Sequence, residues 1–110
     1  MSLIALLALA AASPQSESRD ILTTVQHMEE AWNRGDFRGY MAGFKNPDVV
    51  FVSGGKFQDG WQGTLDHYIR DYGGSAERRG QLHFYNMKID VLAPDAAMLV
   101  GQYRWCGDRA

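Results

Sequence analysis

The chain has 110 residues and a mass of 12.3 kDa, enough for one domain. With 45% hydrophobic, 12% aromatic and 22% charged residues it has the composition of a packed globular protein, too apolar for a disordered one. Eleven basic and 13 acidic side chains leave a net charge of −2, so the excess that neutralises phosphates is absent and nucleic acid is not an expected partner. A single cysteine, Cys106, excludes an internal disulfide and a cysteine zinc cluster.

Leu3 to Ala12 is an apolar run without a charge. A membrane span needs about 20 such residues, whereas the apolar core of a secretory signal is this short. Ala10-Ala11-Ala12 supplies the small residues a signal peptidase requires, although no Lys or Arg precedes the run. Ser13 to Ser18 then reads as a polar, turn-prone spacer. The expected organisation is a signal peptide over 1–12, a spacer over 13–19 and one domain over 20–110. The mature protein is expected to be exported, periplasmic or secreted, and free of the membrane after cleavage.

From Asp20 onward, Ile21, Val25, Met28 and Trp32 form one apolar stripe at helical spacing, with Ser18 as the expected N-cap and Gly35 as the stop. Asp36 caps a second, short helix carrying Phe37, Tyr40, Met41 and Phe44, which Pro47 breaks. Val49 to Ser53, β-branched and aromatic, predicts a buried strand. Gly54-Gly55 and Asp59-Gly60 are turns on either side of a short extended piece at Phe57. A third helix runs from Trp61 to Tyr72, with Trp61, Leu65, Tyr68, Ile69 and Tyr72 on its apolar face and Asp66–Arg70 and His67–Asp71 as four-apart pairs.

After the charged turn Glu77–Gly80, two extended segments, 81–92 and 96–106, read as an antiparallel hairpin. Pairing Ala93 with Ala96 would set Ile89 against Val100 and Val91 against Met98. Leu82 and Phe84 share one parity and Ile89 and Val91 the other, so a bulge near Asn86 restores a single apolar face. The order of elements is that of an α+β fold.

The segments Ala31-Trp32-Asn33-Arg34-Gly35-Asp36, Pro47 to Gly55, Gly60-Trp61, Gly80 to Phe84, and Pro94-Asp95-Ala96-Ala97 leading into Val100-Gly101 resemble the SnoaL-like, ketosteroid-isomerase-like branch of the nuclear transport factor 2-like superfamily. The resemblance implies a cone, cystatin-like in class: a curved antiparallel sheet packed on N-terminal helices, enclosing a pocket and commonly dimeric through the sheet. Two departures stand out. Members of that branch usually continue with another strand or two, so roughly 25 to 30 residues of the usual pattern have no counterpart after Ala110, and the closing strands are expected to be missing. The steroid isomerases carry a carboxylate base near the end of the first long strand, where this chain has Ser53.

The expected ligand is a small hydrophobic molecule in an aromatic-lined pocket. Trp32, Tyr40 and Trp61 are candidate lining residues because they stand near helix ends, where a cone opens. Tyr68, Tyr72 and Phe44 read as core. His83 is the candidate acid or base, with a Tyr or Asp as partner, and Tyr85 shares its strand face. Without the bulge His83 shares the face of Ile89 and Val91; with it, His83 faces outward.

The remaining candidates have plainer roles. His27 and His67 lie off the apolar faces, and the three histidines have no metal-ligand spacing, so neither a metal nor a cofactor is expected. Asp36 and Asp48 read as cap and turn residues, Arg78-Arg79 as a solvated loop and Cys106 as an unreactive thiol. Gly54-Gly55 lacks the lysine of a phosphate loop. Three functions follow: a ligand-binding domain; a small isomerase, dehydratase or hydrolase using His83; or a homodimeric association module.

Overall fold

The computed structural model describes residues 13–108, so the signal peptide expected over 1–12 lies outside the described residues. Helix α1 spans Pro14–Asn33. It begins six residues earlier than the stripe alone suggests, and the stretch expected to be a turn-prone spacer is its first turns. Ser13, not Ser18, is the N-cap: its Oγ accepts from the Ser16 N–H at 3.1 Å, and Pro14 enters the first turn with φ already set. Met28, Ala31 and Trp32 are buried, and Ile21 and Val25 are half-buried on the same stripe.

The helix ends where Gly35 turns left-handed (φ +84°). Gly35 N–H then donates to Trp32 O at 2.9 Å and Asp36 N–H to Ala31 O at 2.8 Å, the paired closure that satisfies the last carbonyls. Asp36 at once caps α2, Phe37–Met41, accepting from Gly39 N–H at 2.8 Å. Phe44 lies just past α2 rather than in it, its ring 4.9 Å from that of Phe51.

The buried strand expected over 49–53 is reduced to β1 (Val52–Ser53), paired through Gly54-Gly55 with β2 (Lys56–Phe57). Val49 and Phe51 turn inward onto the core, while Val50 and Val52 alternate outward and Phe57 is 82% exposed. A strand is buried on both faces only inside a larger sheet, and β1 has β2 alone as neighbour among the described residues.

Helix α3 spans Trp61–Tyr72 and buries Trp61, Thr64 and Leu65, but Ile69, expected on that face, is exposed. His67 pairs with Asp71 at 3.1 Å as expected. Asp66 instead accepts from Gln62 at 3.0 Å, and Arg70 pairs with Asp71 at 3.1 Å. A single turn, α4 (Ala76–Arg79), is capped by Ser75.

Strands β3 (Gln81–Ala93) and β4 (Ala96–Cys106) form the long antiparallel hairpin. Its register shifts between Tyr85 and Lys88, with Asn86 at φ +52°, so inward parity passes from Leu82 and Phe84 to Met87, Ile89 and Val91. A second shift between Val91 and Ala93 corrects the expected pairing: Ile89 faces Leu99 and Val91 faces Ala97. Helix α1 lies along β3, and Trp32, Phe37, Met41, Trp61, Leu65 and Leu82 make the core between helices and hairpin. The architecture is α+β, with N-terminal helices packed on antiparallel sheet. Among the described residues no helix is long and apolar enough to cross a membrane.

Candidate functional site

Trp32 is the centre of an aromatic cluster. Its ring meets Phe37, Tyr40, Tyr68 and Tyr72 edge to face, at centroid distances of 4.9, 5.3, 5.2 and 5.3 Å. Edge-to-face contact sets the positive rim of one ring on the negative face of another, which fixes ring orientation as well as burying area. The indole N–H of Trp32 donates to Arg79 O at 3.0 Å, and that of Trp105 donates to the same oxygen at 2.8 Å. One carbonyl with two lone pairs thus ties α1 and β4 to the end of α4. Gly80 makes the approach possible: at φ +67°, a Cβ there would stand 2.5 Å from Cys106 O and 2.7 Å from Trp105 Nε1.

A half-open cavity of about 270 Å³ lies against these residues, lined by Trp32, Tyr40, Tyr68, Tyr72, Leu82, Tyr103 and Trp105. A larger cavity of about 610 Å³ adjoins it between α1, the turn after α2 and the bulged part of the hairpin. Its walls include Ile21, Val25, Met28, Phe44, Met87 and Leu99, with Asp20 and Thr24 at one side, and Tyr40 and Tyr103 line both spaces. Burial pushes the Tyr40 phenol well above its ordinary range, and the neighbouring Tyr68 and Tyr103 phenols add to the shift. Tyr68 is raised in the same way, by burial first and then by Tyr72 and Tyr103. At neutral pH Tyr40 and Tyr68 therefore present neutral phenols to the aromatic cavity.

The sequence candidates divide. Trp32 and Tyr40 come together on the aromatic cavity. Trp61 lines neither cavity; it is core, its N–H donating to Met41 O at 2.7 Å. His83 and Tyr85 also line neither. The Asn86 bulge leaves His83 on the outer face, where its ring stacks on Tyr85 (5.9 Å, 10°) and its Nδ1 stands 3.0 Å from Glu29 Oε1. The partner of His83 is thus a glutamate from α1 rather than a Tyr or Asp. Arg104 lies 5.6 Å above the Tyr85 ring.

Tyr68 and Tyr72, which the sequence reading assigns to the core, also line the aromatic cavity, as do Tyr103 and Trp105, which it does not single out. The spacing of Tyr103 and Trp105 at i and i+2 places them on one face of β4, but which face depends on counting through two bulges. Among the other candidates, Asp48 pairs with Lys45 at 3.5 Å on the surface, Arg78 Nε donates to Asp71 O at 3.2 Å, and His27 and Cys106 are exposed.

No protein-family profile and no curated protein matches the chain. Among solved structures it is similar to an NTF-2-like protein of unknown function from Shewanella oneidensis MR-1, at 36% sequence identity and a TM-score of 0.77, over 86% of this chain and 78% of that one. That identity over most of both chains, on a fold of helices laid against antiparallel strands around an aromatic cavity, shows the family: the chain belongs to the NTF-2-like proteins.

Proposed function

We propose that this NTF-2-like chain, of the SnoaL-like and ketosteroid-isomerase-like branch, binds a small hydrophobic molecule in its aromatic cavity, with neither nucleic acid nor a membrane as partner. The observation that carries the reading is the wall itself: six aromatic side chains and one leucine around about 270 Å³, opening past Tyr40 and Tyr103 to the larger apolar space. Pockets of this kind take up apolar ligands by burial and orient them through a few polar handles, here the phenols. The test is titration of the purified chain with the neutral fluorophore N-phenyl-1-naphthylamine. Saturable one-to-one binding, weakened in Tyr103→Ala, supports the reading; unsaturable partition unaffected by that change overturns it. Tyr103 suits the purpose because it is 69% exposed, so its loss leaves the core intact.

A second reading makes His83 and Glu29 a catalytic pair for a small isomerase, dehydratase or hydrolase. The 3.0 Å contact favours it, since a carboxylate on Nδ1 orients the ring and leaves Nε2 to take a proton. A pH–rate profile that loses one limb in His83→Ala would support this reading, and a profile unchanged in that variant would end it.

Export and pairing belong to the same proposal. The apolar run over 3–12 supports a signal cleaved after Ala12, and a mature N-terminus at Ser13 in the intact mass of the exported protein is the expected result. Met98 and Val100, exposed on the face of β4 turned away from the cavities, support a homodimer through the sheet. Sedimentation of the full chain at several concentrations is expected to show twice the monomer mass, and a monomer throughout contradicts pairing.

A further inference from the structure

The two edges of the long hairpin differ. On β3, side chains of α1 take the outward backbone groups: Asn33 bonds the N–H and C=O of Leu82, and Glu29 accepts from Phe84 N–H. Backbone groups alternate in direction along a strand, so if Leu82 and Phe84 bond away from β4, then His83 and Tyr85 bond toward it, to Arg104 and Gln102. Both register shifts add their extra residue to β3, so the alternation runs unbroken through β4. Ala97, Leu99, Gly101, Tyr103 and Trp105 therefore turn their N–H and C=O groups to the outer edge of β4. Among the described residues no strand lies beyond that edge and no backbone group bonds to it.

Long exposed edges are ordinarily guarded by lysine, proline or a bulge. β4 has none of these over its 11 residues, and Arg104 is its one charge. The strand is also complementary to itself. Gly101 is its middle residue, so an antiparallel copy centred there overlaps β4 along its whole length. Outward groups then meet outward groups: Leu99 faces the partner's Tyr103, and Ala97 the partner's Trp105. On the other face Arg104 falls opposite the partner's Met98, whose neighbour on β3 is the partner's Asp90. Two strand spacings are about 10 Å, which the side chains of arginine and aspartate together cover. Neither Arg104 nor Asp90 has an ion-pair partner among the described residues, so the pairing brings two unpaired opposite charges together and sets no like charges face to face.

We propose that β4 pairs antiparallel with β4 of a second copy of this chain about Gly101, joining the two hairpins into one continuous sheet. This rests on the reading of the chain as a homodimer through the sheet and names the strand edge as the contact. Tyr103 and Leu99 line the cavities, so the partner's Leu99, about 5.5 Å from Tyr103 between Cα atoms, is added to their open side. The ligand site is then completed by the second copy.

The test is backbone amide hydrogen exchange of the full chain, at a concentration where sedimentation shows a dimer and again after dilution to the monomer. The amides of Leu99, Gly101 and Tyr103 are expected to exchange about tenfold or more slowly in the dimer than in the monomer, while those of Val100 and Gln102, bonded to β3, are protected in both. A dimer in which the three edge amides exchange as freely as in the monomer overturns the edge pairing and leaves a dimer through the sheet face. A monomer at every concentration overturns both. The register is read separately by mixing two variants in a Cys106→Ser background, Val100→Cys and Gln102→Cys, under mild oxidation. In the proposed pairing these positions face each other with Cα atoms about 4.5 Å apart, within disulfide reach, whereas two copies of Val100→Cys stand on a diagonal of about 7 to 8 Å. Cross-linking of the mixed pair in excess of either variant alone is expected, and equal or greater linking of Val100→Cys alone overturns the register about Gly101.

Discussion

The carboxamide of Asn33 makes both hydrogen bonds that a neighbouring strand would make to Leu82: Oδ1 accepts from Leu82 N–H at 2.8 Å and Nδ2 donates to Leu82 O at 2.9 Å. One turn earlier on α1, Glu29 Oε1 accepts from Phe84 N–H. The edge of β3 that faces away from β4 is therefore paired by side chains of a helix. This gives a physical reason for an asparagine directly after Trp32: the residue that ends α1 also fixes the height of β3 against it, and with it the position of Leu82 on the cavity wall.

Removing that clamp should cost stability. Asn33→Ala leaves two partly buried backbone groups without partners, so a loss of about 2 kcal/mol is expected in denaturant unfolding. Asn33→Asp retains the acceptor and loses the donor, and should fall between the two. Equal stability of Asn33→Ala and the parent chain would show that water replaces the carboxamide without loss.

Gly80 is the second sensitive point. An alanine there meets both a left-handed backbone and the space occupied by Cys106 O and the Trp105 ring. Gly80→Ala is expected to destabilise by more than about 1 kcal/mol and to shift Trp105 off Arg79 O, visible as a changed near-ultraviolet circular dichroism spectrum. A parent-like spectrum would contradict the close approach.

Tyr40 and Tyr68 give the fold an alkaline limit. Both phenols are raised above the ordinary value of 10.0, by burial first, so the native state keeps their protons at a pH where the unfolded chain releases them. The native state then binds more protons than the unfolded one, and stability falls as pH rises. It should be level with respect to these groups below pH about 10 and decline above it, by up to about 1.4 kcal/mol per pH unit for each phenol. Tyr40→Phe should make the decline shallower in unfolding measured from pH 8 to 11. An unchanged slope would show that Tyr40 ionises in the folded protein as freely as in the unfolded one.

Asn86 tests the bulge. At φ +52° an asparagine is tolerated and a glycine preferred, whereas a β-branched side chain is strained. Asn86→Gly should therefore be close to neutral, its gain offset by loss of the hydrogen bond to Gln102. Asn86→Val should cost about 1 to 3 kcal/mol. If valine proves neutral, the chain does not pass through the left-handed region at this residue.

Much of the fold was legible because local rules agree along the chain. The stripe through Ile21, Val25, Met28 and Trp32, the Gly35 stop, the Asp36 cap and the parity change at Asn86 each have a single cause readable within a few residues. Register beyond Val91 was not legible, since the second shift in pairing has no turn residue or parity change to mark it. The start of α1 was misplaced because Ser13-Pro14 reads equally as a turn or as a cap followed by a first helical residue. On the site, Trp32 and Tyr40 follow from their helix positions. Trp61 stands as near a helix end as they do, yet its indole is anchored to Met41 O in the core. Tyr103 and Trp105 could not be found, because their facing depends on pairing across the whole bulged hairpin.

The three tryptophans provide the most direct test of the cavity as the ligand site. Trp32 and Trp105 line it and share Arg79 O, while Trp61 is buried nearby and lines neither cavity. The measurement is a titration of the ¹⁵N-labelled chain with N-phenyl-1-naphthylamine, following the three indole N–H resonances. Saturable shifts of Trp32 and Trp105 with Trp61 unmoved are expected. Shifts confined to Trp61, or none at saturating fluorescence, would place the ligand elsewhere and contradict the aromatic cavity as its site.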